Sequence, residues 1–121
     1  MDRVFFSIGG ISAFVAVALG AFAAHGLKGR LDPAQLVTFE TGVRYHMYHA
    51  LALLAVAWAC TRSPGPVITA SGWLFVAGTV LFSGSLYALS LSGVRWLGAI
   101  TPIGGLCFLA GWAWLILSPP K

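Results

Sequence analysis

Four apolar segments, separated by short polar or glycine- and proline-rich stretches, make up most of the chain. The first, Val4–Ala24, contains no charged residue, and its roughly 21 positions suffice to cross a hydrocarbon core about 30 Å thick at about 1.5 Å per residue. Val67–Leu91 and Trp96–Leu117 are equally free of charge and long enough to span a bilayer. Tyr45–Thr61 is shorter, at the low end of the spanning range. This pattern predicts an all-α integral membrane protein with four transmembrane helices.

The second helix is predicted to begin well before its apolar segment, because Asp32, Pro33 and Gln35 form a strong helix-start signal. Aspartate is a favoured N-cap, proline suits the first helical position, and glutamine three residues after the cap completes a capping box. The next turns are amphipathic, with Leu36 and Val37 among polar residues. The second helix is therefore predicted to include an amphipathic stretch at the membrane interface. The expected helices form a single domain, residues 1–121, at about 4–24, 33–60, 67–91 and 96–117.

Proline and glycine mark the breaks around the later helices. Arg62–Pro66 holds two prolines around a glycine, so it is expected to connect the second helix to the third. Ser92–Arg95 is expected to make the last connection. Pro102 lies inside the fourth apolar segment, where a proline removes one backbone hydrogen bond, so we expect a kink near Thr101.

The composition argues against a soluble protein and against a nucleic-acid partner. Hydrophobic residues make up 59% of the chain and charged residues only 8%, whereas a soluble domain must cover its core with polar surface. The net charge is +4, but the Lys and Arg residues are scattered at helix ends. That placement suits lipid head groups and leaves no basic patch for a phosphate backbone. Cys60 and Cys107 lie in apolar segments and give no disulfide framework.

Polar and ionisable residues are concentrated where the second helix enters its apolar segment. Six residues form this polar cluster: His25, Glu40, Arg44, Tyr45, His46 and His49. Polar groups at membrane depth are costly and usually face a protein interior, a partner or a wet cavity, so any local function is expected here. Glu40 and Arg44 lie at i and i+4 on one helical face, which predicts an ion pair. His25 ends the first helix on the same side of the membrane, so three imidazoles are expected near one interface.

Several chemistries fit three imidazoles at one interface. His46 and His49, spaced i and i+3, together with His25 would supply three nitrogens to zinc or copper. His25 with His49 would be the pair for a haem, and a His, Glu and Tyr chain is typical of proton or ion passage. The favoured interpretation is structural: Glu40 pairs with Arg44, and the histidines bond backbone groups. Because the chain has no Ser-His-Asp set, phosphate loop, dinucleotide fingerprint or paired catalytic carboxylates, neither an enzyme nor a bound cofactor is predicted.

Small residues follow one edge of the first helix at successive i+4 steps. They are Ser12, Ala16, Gly20 and Ala24. Such a stripe lets another helix approach closely, which drives association in lipid. The approaching helix belongs either to the same bundle, as internal packing, or to a second copy or another protein.

Four blocks of the sequence together resemble a family of small bacterial inner-membrane proteins, catalogued as domain of unknown function 423 and related to eukaryotic transmembrane protein 256. The blocks are Gly20–Lys28, Phe39–Leu54, Phe82–Tyr87 and Thr101–Gly105. The resemblance covers essentially the whole chain, and the blocks together are far more specific than any one of them.

The resemblance implies a four-helix, multi-pass protein of the bacterial inner (plasma) membrane, and no activity follows from it. This sequence departs from the family pattern at two places, with Ala23 where glycine often stands and His46 where glutamine is common. The second departure weakens a metal site that depends on His46. The family pattern includes His25, Glu40, Arg44, Tyr45, His49, Ser83, Tyr87 and Pro102.

Together these features predict a non-enzymatic accessory, assembly or structural subunit in the membrane. Its expected partners are the lipid bilayer and either further copies of the chain or a larger membrane complex. The first alternative is an oligomeric channel or transporter for a small solute or ion, favoured by the polar cluster and the proline in the fourth helix. The second is a metal- or haem-binding membrane protein. The side with both termini carries Arg3, Arg62 and Lys121 against four positive residues opposite, so both termini are expected outside.

Overall fold

The computed structural model describes residues 1–121 and consists of four helices joined by short loops, with no β-strand. Each helix lies close to its predicted position, and the largest difference is the end of the first helix, which extends to Leu27 instead of Ala24. The helices are α1 (Asp2–Leu27), α2 (Pro33–Arg62), α3 (Pro66–Ser92) and α4 (Arg95–Leu117).

Three of the four helices, α1, α3 and α4, are long and apolar enough to cross a membrane. Only 17% to 28% of the most apolar part of each is buried inside the molecule, so apolar side chains form most of the outer surface. The helix α2 is the longest, at 30 residues, but polar residues lie along it and it is not among the three. Length and composition alone therefore support three of the four predicted membrane spans.

The helix α2 lies at the centre of the bundle. Eleven of its 30 residues are buried, more than in any other helix. It packs along α1 on one side and against α3 on another, while α3 and α4 pack along each other. The main core joins Leu53 and Val56 of α2 to three phenylalanines from the other helices, Phe5, Phe75 and Phe108. The most polar helix is thus the one that the other three shield.

The helices α1 and α3 run in the same direction. Near their beginnings, the rings of Phe5 and Trp73 meet edge to face with centroids 5.2 Å apart. Near their ends, Tyr87 of α3 packs against the cluster formed by Ala23, Leu27 and Phe39. Since α2 connects the end of α1 to the beginning of α3, it runs back along both of them.

The predicted start of α2 is confirmed. The Asp32 carboxylate accepts a hydrogen bond from the backbone N–H of Gln35 at 2.8 Å, and the Gln35 side-chain oxygen accepts one from the backbone N–H of Asp32 at 3.3 Å. These two bonds form the capping box, and Pro33 occupies the first turn where its missing N–H costs nothing.

The prediction that Pro102 removes a backbone hydrogen bond from a regular helix is wrong. Residues Arg95–Ala99 form a 3-10 turn, and the regular α-helix begins only at Thr101, with Pro102 at its first positions. The first turn of an α-helix has no internal acceptors for its N–H groups, so a proline there removes no bond. Pro102 therefore marks the change from 3-10 to α geometry within α4.

Two π-helical turns that are not predicted from the sequence interrupt the regular geometry. Ala23–Leu27 forms the last turn of α1, and Thr79–Ser83 lies in the middle of α3. A π-helical turn inserts an extra residue into an α-helix and often marks a functional position. The turn in α3 faces α2 and α4, the helices that carry the polar contacts described below.

The small-residue stripe of α1 lies mainly inside the bundle. Ala16 is fully buried, and a Cβ added at Gly20 would come within 3.4 Å of Val43 on α2. Gly9, which was not part of the predicted stripe, lies even closer to α2, 3.0 Å from the carbonyl oxygen of Ala50 by the same measure. Ser12 is half-buried beside α2, whereas Ala24 is exposed. Close packing of α1 on α2 thus accounts for most of the stripe.

Candidate functional site

His46 of α2 is hydrogen-bonded to Tyr87 of α3. Its imidazole is only 7% exposed, and its Nδ1 lies 2.9 Å from the Tyr87 hydroxyl oxygen. The hydroxyl proton has no other acceptor in the protein, so the arrangement that leaves the fewest groups unpaired has Tyr87 donating to Nδ1. Nε2 of His46 then carries the ring proton. This bond ties the second and third helices together.

A second bond between the same helices lies next to this pair. The Ser83 hydroxyl donates to the backbone carbonyl of Gly42 at 2.7 Å, and both residues are buried. A Cβ at position 42 would lie 2.9 Å from the ring of Tyr87, so glycine is the residue that fits this contact without a shift of the ring. A serine facing a glycine is a common way for helices to bond closely where water is absent.

His49 connects α2 to α4. Its Nδ1–H donates to the Tyr45 carbonyl one turn earlier, at 2.7 Å, and its Nε2 accepts from the indole N–H of Trp112 at 3.1 Å. The imidazole is stacked on Phe108, with centroids 3.6 Å apart and planes 6° from parallel. Both ring nitrogens are therefore occupied, and the imidazole is fixed in one orientation.

Hydroxyl groups also join α3 to α4. Ser71 donates to the Gly111 carbonyl at 2.8 Å, and the hydroxyls of Ser85 and Thr101 lie 2.6 Å apart. No fully buried side-chain oxygen or nitrogen lacks a hydrogen-bond partner. The fully buried polar groups of the bundle are therefore satisfied, partly between helices and partly within one helix, as a low-dielectric interior requires.

The remaining members of the predicted polar cluster lie at its edge. His25 is exposed in the π-helical turn that ends α1, Arg44 and Tyr45 are exposed, and Glu40 is half-buried. The predicted ion pair between Glu40 and Arg44 is wrong. The Arg44 guanidinium instead donates to the Thr41 hydroxyl at 3.1 Å, and the only ion pair of the protein joins the N-terminal ammonium to Asp2. On an exposed helical face, a neighbouring hydroxyl competes well with a weak surface ion pair.

The three imidazoles do not converge. His46 faces α3, His49 faces α4, and His25 is at the surface, so no three His, Cys, Asp or Glu side chains are placed to share a metal ion. The proposed metal set is therefore wrong. The haem pair fails for a related reason, since Nε2 of His49 already accepts from Trp112 and Nδ1 is bonded to its own helix.

The partners of the histidines were missed in the sequence. Neither Trp112 nor Phe108, which contact His49, is among the residues predicted from the sequence. Their i, i+4 spacing, with Gly104 and Gly111 on the same side, would have identified the inner face of α4. Which residue of α2 they meet is a non-local fact, and no pattern within either helix reveals it.

A groove of about 390 Å³ opens beside His46, between α1, α2 and α3. Its walls are mostly apolar, with hydroxyl groups near the imidazole and the π-helical turn of α3 along one side. The lining residues are Ile8, Ser12, His46, Leu53, Val76, Thr79, Val80, Ser83, Gly84 and Tyr87.

The relatives found by comparison with known proteins share one family name, UPF0382. Residues 19–105 match the family described as "Protein of unknown function (DUF423)". The chain is 48% identical over 120 residues to the UPF0382 membrane protein YwdK of Bacillus subtilis, covering 98% of each chain. It is 44% identical over 119 residues to the UPF0382 membrane protein SH2409 of Staphylococcus haemolyticus, covering 98% of this chain and 97% of the relative.

A further relative comes from Escherichia coli. The UPF0382 inner membrane protein YgdD is 44% identical over 108 residues, which cover 89% of this chain and 82% of the relative. No solved structure matches the chain.

Proposed function

The chain belongs to the DUF423 family of membrane proteins of unknown function, and we propose that it is a non-enzymatic, four-span subunit that acts in a homo-oligomer or a larger membrane complex. The proposed location is the bacterial inner membrane, multi-pass, in line with the name of the Escherichia coli relative.

The path of the chain supports a fourth span. Because α1 and α3 run in the same direction and each is long and apolar enough to cross the membrane, the helix that joins them must return across it. With 30 residues, α2 is about 45 Å long at about 1.5 Å per residue, enough for the bilayer and part of the interface.

The distribution of polar residues on α2 supports the same conclusion. His46 and His49 face the other helices, where they are hydrogen-bonded. On the outward side, Arg44 is exposed just before the two histidines, and Leu51 and Trp58 beyond them are 55% and 58% exposed. Every exposed side chain between Arg44 and Trp58 is uncharged, so lipid would meet uncharged side chains there. A helix too polar to be recognised by composition is therefore suited to a membrane when its polar side is covered by protein.

The bonding of the buried histidines is the observation that carries the non-enzymatic assignment. Catalysis by an imidazole requires a free nitrogen within reach of a substrate. Both nitrogens of His49 hold helices together, and one nitrogen of His46 does the same. The two buried members of the polar cluster, His46 and His49, thus join α2 to its neighbours.

An oligomeric channel or transporter is the second candidate, and the groove beside His46 is the observation that favours it. The groove places hydroxyl groups and an imidazole along the side of a single protomer. In an oligomer, a second protomer packed against this side would enclose them in a polar path.

Native mass spectrometry of the protein released gently from its own membrane tests the subunit role. We expect a species of at least twice the 12.7 kDa protomer mass, either a closed homo-oligomer or a complex of fixed stoichiometry with another membrane protein. A protomer that carries only lipid would contradict the proposal. Solute flux through liposomes reconstituted with the purified oligomer would replace it with the channel or transporter.

A further inference from the structure

We infer that the groove between α1, α2 and α3 is a binding site for a neutral lipid with a carbonyl head, held by a hydrogen bond from Nε2 of His46. The inference goes beyond the proposed subunit role and holds whether or not the chain has a protein partner. It rests on the geometry of one buried imidazole, the shape and lining of the groove, and the depth at which both lie.

The imidazole of His46 is the one buried polar side chain of the cluster whose hydrogen bonding is incomplete. It is more than nine-tenths buried, and Nδ1 is paired with Tyr87, but Nε2 has no partner in the protein. Every fully enclosed side-chain nitrogen or oxygen of the protein has a hydrogen-bond partner. Because Nε2 has none, it is not fully enclosed. His46 lines the groove, so Nε2 is accessible from outside the protein through the groove.

The chemistry of the missing partner follows from the Tyr87 bond. Because Tyr87 donates to Nδ1, the exposed nitrogen carries the ring proton and presents a donor. The ligand must therefore provide an acceptor such as a carbonyl oxygen. The neighbouring hydroxyls of Thr79 and Ser83 already donate to the Phe75 and Gly42 carbonyls, so they add polarity without another free proton.

The rest of the groove selects an apolar body. Leu53, Val76 and Val80 line its walls, Ser12 of α1 adds one hydroxyl opposite, and no charged residue contributes. Its volume of about 390 Å³ lies within the usual range for small-molecule sites, about 300–1,000 Å³. The π-helical turn Thr79–Ser83 forms one wall, and such turns recur at functional positions in helices. A charged or strongly hydrated ligand finds no counter-charge here.

Depth distinguishes the possible sources of the carbonyl. Thr79, which lines the groove, is roughly 20 Å from either end of α3 at about 1.5 Å per residue, which places the groove near the middle of a helix that is long and apolar enough to span the membrane. The ester carbonyls of glycerolipids lie at the edge of the hydrocarbon core, about 15 Å from its centre. A quinone-type ring on an isoprenoid tail has no such tether to the interface, so the groove fits it better.

Binding is tested on the full chain in phosphatidylcholine nanodiscs, with decylubiquinone as one probe and dioleoylglycerol as the other. We expect saturable binding of one probe molecule per protomer, weakened about tenfold by His46→Phe, the loss of one buried hydrogen bond. Saturation by decylubiquinone identifies a quinone-type ligand, whereas saturation by dioleoylglycerol alone identifies a glyceride ester as the source of the carbonyl.

A pair of glycine variants makes the test independent of the Tyr87 bond. Gly84 lines the groove, and an added Cβ would meet nothing within 4 Å, so Gly84→Leu is expected to fold and to fill the groove. Gly10 is equally open but lies on the outer side of α1, so Gly10→Leu is the matched control. We expect Gly84→Leu to bind the probe at least tenfold more weakly than the unmodified protein does. Gly10→Leu is expected to bind it with unchanged affinity. Binding of neither probe, or binding that Gly84→Leu leaves unchanged, would overturn the inference.

Discussion

Replacing Gly104 with alanine is expected to destabilise the protein by about 3 kcal/mol, at the upper end of the usual cost of overpacking a core. Gly104 is buried on α4, where it lies directly against the backbone of α3. A Cβ there would overlap the backbone nitrogen of Phe82 and lie 2.8 Å from its Cα. A backbone cannot rotate away as a side chain can, so α3 and α4 would have to separate.

The neighbouring glycine provides the control for this variant. A Cβ at Gly105 would lie 3.9 Å from the nearest atom, the Cδ2 of Phe82, which is an ordinary contact. We therefore expect Gly105→Ala to change the free energy of unfolding by no more than about 0.5 kcal/mol. Thermal unfolding of both variants in the same detergent provides the comparison. Equal melting temperatures for the two variants would contradict the close approach of α3 and α4 at Gly104.

His49→Ala is expected to cost about 3 to 4 kcal/mol, similar to truncating a buried aromatic ring. The change removes the stack on Phe108 and leaves the Trp112 indole N–H without its acceptor. Trp112→Phe removes the donor and part of a ring that is 39% exposed but keeps an aromatic side chain, so we expect a smaller loss, near 1 kcal/mol, typical of hydrogen bonds between helices in membranes. Unfolding in a graded series of detergent and denaturant mixtures measures both losses.

Two further variants separate this bond from a general effect of losing a histidine. His25 is exposed and outside the interhelical contacts, so His25→Ala is expected to have almost no effect on stability. In the double variant His49→Ala with Trp112→Phe, the losses should fall short of their sum, because both changes break the same bond. Strictly additive losses, or an equal loss from His25→Ala, would mean that His49 and Trp112 do not interact.

Local sequence signals predicted the elements of this fold but not the contacts between them. The capping box of Asp32 and Gln35 was predictable because every participant lies within four residues. The positions of the four helices followed equally from runs of apolar residues. The α2–α4 contact through His49 and Trp112 joins residues 63 positions apart, and neither helix alone indicates it.

The wrong predictions have physical causes of the same kind. The ion pair of Glu40 with Arg44 was inferred from spacing, but on an exposed face the Thr41 hydroxyl is an equally accessible partner for the guanidinium. The loss of a backbone hydrogen bond at Pro102 was inferred from the apolar run, which hides the change from 3-10 to α geometry before it. The convergence of three histidines failed because a difference of three residues on α2 was enough to turn His46 and His49 towards different helices.

We propose that α2 crosses the membrane although its composition alone does not indicate it. Its two ends are tested by single cysteines at exposed positions, Lys28→Cys before the helix and Pro64→Cys after it, in a chain whose Cys60 and Cys107 are replaced by serine. Spheroplasts are treated with a membrane-impermeant maleimide before and after permeabilisation. If α2 crosses the membrane, one of the two cysteines is labelled in intact spheroplasts and the other only after permeabilisation. Identical labelling of both cysteines would contradict a fourth span.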